Sequence, residues 1–331
     1  MTRKINNSYE LGQSNAPTDG GDMLKTRGDG TLVWEGVADT TYEPKWYGGR
    51  GVFGGGSTSS VTRSNIVEYI TISSTGNSTD FGDLTVARSD PSACSDGSRG
   101  IFGGGYSVAG GYEDTIDYIT IATTGNAQDF GNLSVARKST NCVSDGSRGV
   151  FRGGRDSGGN LNTMDYITIG TLGNAIDFGD TTVSIRASAD CSDGSRGVFG
   201  GGVTSGYSNV IDYITIATLA NATDFGDMTT GTGMPAGCSG GARGIFAGGE
   251  TGPYVNTIEY ITIQTTGNAT DFGDLTLARG SLGGLSDNSR GVFAGGQQDV
   301  IDYITIDTTG NATDFGNLSE QIWNLAGLSG D

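Results

Sequence analysis

The tripeptide Asp-Phe-Gly occurs six times, at Asp80, Asp129, Asp177, Asp224, Asp271 and Asp314. A single copy would suggest the aspartate that holds magnesium in protein kinases. That chemistry also needs a catalytic-loop His-Arg-Asp, and the chain contains no histidine. Six copies therefore read as a structural position. The missing histidine also excludes Ser-His-Asp and Cys-His nucleophilic catalysis, histidine metal ligation and imidazole acid–base chemistry. The pair Asp80/Asp83, echoed at Asp180, Asp227 and Asp274, brings two carboxylates to one turn. Calcium takes about six to eight oxygens, so a solvated turn is expected there. The glycine runs lack the Gly-Lys-Ser/Thr of a phosphate loop, and Arg27-Gly-Asp29 is an isolated tripeptide. The Asn-x-Thr sites at Asn77, Asn221, Asn268 and Asn311 are copies of one turn in a chain that shows no secretory signal. The sequence thus predicts no catalytic residue, no cofactor and no metal site.

The four cysteines each fall in a different copy of a repeat. Cys94, Cys191 and Cys238 lie five residues before an Arg-Gly-Val/Ile-Phe block and Cys142 lies six before. Equivalent positions in separate copies are expected to exceed the ~4.4–6.8 Å Cα separation of a disulfide. They are read as small buried hydrophobes, with a disulfide between copies or a metal site as the alternatives.

The elements that position these residues follow from the period. Arg50, Arg99, Arg148, Arg196, Arg243 and Arg290 each open an Arg-Gly-Val/Ile-Phe block, at spacings of 49, 49, 48, 47 and 47 residues. A module of this size cannot bury its apolar face alone and stacks on its copies. In the second copy, Arg99-Gly-Ile-Phe-Gly-Gly-Gly reads as a buried strand ending where other backbone comes close. Thr115-Ile-Asp-Tyr-Ile-Thr-Ile-Ala alternates with period two, which predicts a strand with a wetter face at Asp117 and Thr120. Thr124-Gly-Asn-Ala supplies a turn, and Asp129-Phe-Gly opens the outermost strand. Asn141-Cys-Val-Ser and Asp145-Gly-Ser then hand the chain to the next arginine. Four strands and no helix per unit make a propeller blade. The opening arginines are expected to pair with acids of the neighbouring blade or to line the channel.

Within a blade, the glycine pair Gly104-Gly105, then Tyr118, then Phe130 where tryptophan is usual, then Arg137, resemble the Kelch repeat. The wording "SRGVFGGG" with "DYITIATTGNATDFGDLT" resembles repeat proteins encoded by tailed bacteriophages of marine and cyanobacterial hosts, where they are virion structural proteins. The resemblance covers about 85% of the chain. It implies an all-β, six-bladed, Kelch-like β-propeller of four-stranded blades with a short N-terminal arm, and a place in the virion after synthesis in the host cytoplasm.

Residues 47–331 are assigned to the propeller. Aligning Leu318–Asp331 with Leu275–Asn288 puts the end of the chain just before the position of the next arginine, which is Arg50. A C-terminal strand near Leu325 to Ser329 is therefore expected to complete the first blade. Residues 1–46 fall outside the repeat, with a hairpin expected around Gly28-Asp29-Gly30. Leu24, Leu32, Trp34 and Trp46 are candidate attachment or oligomerisation residues, toward other virion proteins or a second copy of the chain. A net charge of −18 and a pI near 4.2 argue against a nucleic-acid partner. No apolar run reaches the ~18 residues of a membrane helix, so no membrane insertion is expected. The alternative function is a receptor- or glycan-binding adhesin, with Tyr106, Tyr112, Tyr207 and Tyr254 in the variable loops as aromatic stacking residues.

Overall fold

A computed structural model describes residues 22–26, 32–36 and 47–330. The chain separates into two units, 1–43 and 44–331. In the first, strands Asp22–Thr26 and Leu32–Gly36 pair antiparallel, with Leu24 opposite Trp34 and Thr26 opposite Leu32. Trp46 and the Gly28–Gly30 segment lie outside the described residues.

The second unit is a six-bladed β-propeller whose blades are four-stranded antiparallel sheets, with no helix among the described residues. Blade 2 is representative. From the channel outward it runs Ser92–Ser95, Arg99–Gly103, Thr115–Thr120 and Gln128–Asn132. Blade 1 takes its innermost strand, Ala326–Gly330, from the far end of the chain, against Arg50–Gly54 with Arg50 opposite Gly330 and Gly54 opposite Ala326. Strands that would otherwise be open edges are thereby paired.

The core lies between blades. Val and Phe of each Arg-Gly-Val/Ile-Phe strand point to opposite faces. Val52 and Val67 of blade 1 thus pack with Phe102, Ile119 and Ile121 of blade 2. The six phenylalanines of this strand are at most 2% exposed, each contributing roughly 1.5–3 kcal/mol by burial. Both faces of each sheet are covered, so of the two residues expected on the wetter side of the Asp-Tyr-Ile-Thr-Ile strand only Thr120, at the strand's end, is exposed. Asp117 is fully buried.

Repeated polar residues close the seams. Arg50, Arg99, Arg148, Arg196, Arg243 and Arg290 each lie over the tyrosine of their own blade at 4.1–4.7 Å. Each then donates to a backbone carbonyl in the next blade, as Arg99 Nη1 does to Ile169 O at 2.7 Å and Arg290 Nη1 to Ile72 O at 2.7 Å. The partner is thus a carbonyl and not the expected carboxylate. On the rim, Gly125 N donates to Phe81 O at 2.7 Å and Asp83 N to Asn126 Oδ1 at 3.1 Å. Blade 6 meets blade 1 the same way, through Gly76 N to Phe315 O at 2.8 Å and Asn317 N to Asn77 Oδ1 at 3.1 Å. Gly82 is required at the seam between blades 1 and 2. Its φ is +148°, and a Cβ there would come within 2.5 Å of Gly125 O.

A second set of arginines is buried in the seams. Arg88, Arg137 and Arg279 end one blade and pair with Asp117, Asp165 and Asp302 of the next. In blade 3 the equivalent position is Ile185, and the cation comes from elsewhere. Arg152, at the strand position that is Gly103 in blade 2, reaches Asp212 at 2.8 Å. Where no arginine is supplied at all, the acid is one methylene longer. Glu259 follows Thr232 and Glu68 follows Ile322. Residue identity therefore covaries across the seam within one chain.

Candidate functional site: the channel and its mouth

The innermost strands bring six serines to one level of the channel. Ser95 Oγ donates to Ser329 O at 2.6 Å, Ser144 to Ser95 at 2.7 Å, Ser192 to Ser144 at 2.9 Å, Ser239 to Ser192 at 2.6 Å, Ser286 to Ser239 at 2.6 Å and Ser329 to Ser286 at 2.6 Å. These bonds form a closed ring. Nearer the mouth, a second ring is made by backbone alone. Asp90, Ser139, Ala187, Met234, Ser281 and Asn324 each donate their N–H to the carbonyl of the preceding blade's member, at 2.9–3.0 Å, and Asp90 closes the ring onto Asn324. All six have φ between +52° and +61°. Left-handed backbone costs on the order of 1 kcal/mol for such residues and persists here because neighbours on both sides fix it.

Above this ring a funnel of about 330 Å³ opens, lined by Asp90, Lys138, Arg186, Glu250, Tyr254, Gln297 and Trp323 among others. The ring positions have no common residue type, so this funnel is where the repeat becomes asymmetric. Lys138 Nζ approaches Asp90 at 3.6 Å, and Gln297 donates to the Tyr254 hydroxyl at 3.0 Å. The funnel combines both charges, amides and two aromatic rings, which suits a polar ligand with a flat apolar face.

Of the loop tyrosines read from sequence, Tyr254 lines this funnel. Tyr207 hydrogen-bonds Glu250 beside it, and desolvation and Glu250 together raise its phenol. Both rings are 40% exposed. Tyr106 and Tyr112 are half-buried and packed edge to face at 5.4 Å, with Lys138 5.3 Å from the Tyr106 ring centre. Their ring surfaces are already engaged, so the four tyrosines do not form one platform. Trp323, Asp90, Lys138, Arg186 and Glu250 were not singled out by sequence. Asp90 lies two residues past the position that ends its blade, Lys138, Arg186 and Trp323 lie one past the equivalent Arg137, Ile185 and Ile322, and Glu250 follows the Gly248-Gly249 pair.

Deeper in the channel, Cys94, Cys142, Cys191 and Cys238 line a small space of about 90 Å³ together with the serine ring and Asp190. The expectation that cysteines of separate blades lie far apart is corrected here. Inner strands of adjacent blades converge at the axis, and the sulfurs of Cys94 and Cys142 lie 2.8 Å apart. All four are buried free thiols. Burial raises the thiols of Cys142, Cys191 and Cys238, which keeps them protonated and poor nucleophiles. Asp190 accepts from Cys142 N at 2.7 Å, and desolvation in the narrow channel pushes its carboxyl up to about 7, against the lowering effect of that bond, Asn141 and Arg152. Among the described residues, no group of three or more His, Cys, Asp or Glu side chains converges as metal ligands.

No protein-family model matches the chain, and a comparison with curated proteins finds no match either.

Proposed function

We propose that the chain is a non-enzymatic structural or decorating protein of a tailed-bacteriophage virion, a Kelch-like propeller serving as a protein–protein interaction scaffold. The observation that carries this reading is where the repeated polar groups go. Arginines, asparagines and serines present in most or all blades are spent on inter-blade bonds, as with Arg99 to Ile169 O and Ser144 to Ser95 O. A side chain committed to closing a ring is not available for turnover. The absence of histidine from the sequence points the same way. The virion setting rests on the resemblance of the repeat wording, and attachment is assigned to residues 1–46 with Leu24, Leu32, Trp34 and Trp46, toward other virion proteins or a second copy. Mass spectrometry of purified particles tests it. The protein is expected at fixed stoichiometry to the major capsid or tail proteins and is expected to be lost when residues 1–46 are deleted. Absence from particles overturns the reading.

A second reading, a glycan- or receptor-binding adhesin, is favoured by one feature, the funnel that holds Tyr254 and Trp323 beside Asp90, Glu250 and Lys138. Tyr254→Ala and Trp323→Ala variants are expected to abolish adsorption to host cells if this reading holds. Unchanged adsorption removes it.

A further inference from the structure

The seam between blades 4 and 5 lacks a part that other seams possess. Where Arg88, Arg137 and Arg279 stand in their seams, this one has Thr232. Its acid, Glu259, is only 4% exposed. Glu259 Oε1 accepts from the backbone N and hydroxyl of Thr229. Oε2 is buried and has no hydrogen-bond partner. A buried carboxylate oxygen left unpaired is costly, and such groups elsewhere in folded chains are matched by a cation or a donor. Consistently, desolvation raises the Glu259 carboxyl above its usual range despite both Thr229 bonds.

Glu259 also lines a cavity of about 180 Å³, together with Thr232, Gly248 and Thr257. Its walls have a counterpart that is filled. In the next seam, Arg279 donates to Asp302, to Gly295 O at 2.8 Å and to Val300 O at 2.7 Å. Aligning the blades places Glu259 at Asp302, Gly248 at Gly295 and Thr257 at Val300. The same molecule therefore shows what these walls hold when an arginine is present, a planar guanidinium. The volume suffices, since a dry cavity of about 150 Å³ admits a benzene-sized molecule. Exposed Thr229, Thr230 and Thr257 open it to solvent. The other seam without an arginine is closed differently. Ile322, 5% exposed, joins the apolar cluster there, and Glu68 accepts from Ser78 Oγ and Ser319 N.

We infer that the cavity between blades 4 and 5 is a binding site for a guanidinium-bearing ligand, whose planar cation replaces the missing arginine and pairs with Glu259. A free alkylguanidine and an arginine side chain on another chain present the same chemistry. A planar fork fits the carboxylate and the wall carbonyls better than a spherical ammonium does.

Calorimetric titration of the full chain with methylguanidinium at low millimolar concentration and constant ionic strength tests the inference, with tetramethylammonium as the charge control. The wild type is expected to bind methylguanidinium at one site per chain and tetramethylammonium not measurably. Thr232→Arg, which fills the site from within, is expected to fold and to lose binding. Glu259→Gln is expected to weaken binding at least about tenfold, the cost of one charged hydrogen-bond pair. No saturable binding by the wild type, or binding unchanged in Thr232→Arg, overturns the inference. An acetylated arginine amide then separates the sources. Binding as tight as methylguanidinium assigns the site to a peptide arginine, and weaker binding assigns it to a small free cation.

Discussion

At the scale of single residues, the channel and the seams share most of the titratable anomalies. Asp190 is an acid whose folded-state carboxyl is raised, from 3.8 to about 7. Below about pH 4 both the folded and unfolded forms hold the proton. Between pH 4 and 7 the unfolded chain releases it first, so stability falls as pH rises and the penalty is complete above pH 7. Glu259 and Glu320, also raised, tilt stability in the same direction. Asp190→Asn keeps an acceptor for Cys142 N and removes the charge. It is expected to stabilise the protein by on the order of 1–3 kcal/mol at pH 8, with almost no effect near pH 3. Urea midpoints across that range check this, and an unchanged pH slope would refute it. Cys94, Cys142, Cys191 and Cys238 were legible from sequence as buried, because each precedes its Arg-Gly block by five or six residues. Their proximity was not legible, since period says nothing of how closely inner strands approach the axis.

Among the strands and seams, the exchange between Arg152 and Ile185 is the clearest lesson. Blade 3 lacks the arginine that ends blades 1, 2 and 5, and blade 3 also carries an arginine where other blades have glycine or alanine. The structure joins the two departures at Asp212. Arg152→Gly is therefore expected to destabilise by about 3–5 kcal/mol, because Asp212 is left charged and buried. Adding Ile185→Arg is expected to recover most of that loss, read by thermal or urea unfolding. Failure of the double variant to recover would contradict the equivalence of the two positions. Arg137 was legible as the arginine closing a blade, but the acid it pairs with, Asp165, is the counterpart of Asp117, which was expected on a wetter face. Period-two alternation reports which residues share a face. It does not report that a neighbouring blade covers the second face.

For the whole molecule, the closed ring is what the repeat serves. The spacing of six arginines made the blade count legible, and the alignment of Leu318–Asp331 with Leu275–Asn288 pointed to Arg50, against which Ala326–Gly330 is paired. The ring of Asp90, Ser139, Ala187, Met234, Ser281 and Asn324 was invisible because its chemistry is all main chain and its side chains differ in most blades. Removing residues 326–331 is expected to strip amide protection selectively from Arg50–Gly54, leaving Arg196–Gly200 on the opposite side of the ring protected. Hydrogen exchange reads this, and equal protection of both strands after truncation would contradict it. If the repeated side chains hold the ring and residues 1–46 hold it to a particle, the protein is a fixed building part. A cryo-EM map of native particles tests that most directly. Six-bladed density on the capsid, neck or tail shaft, with residues 1–46 contacting neighbouring proteins, is the predicted result; density confined to a fibre tip, or none on the particle, would contradict it.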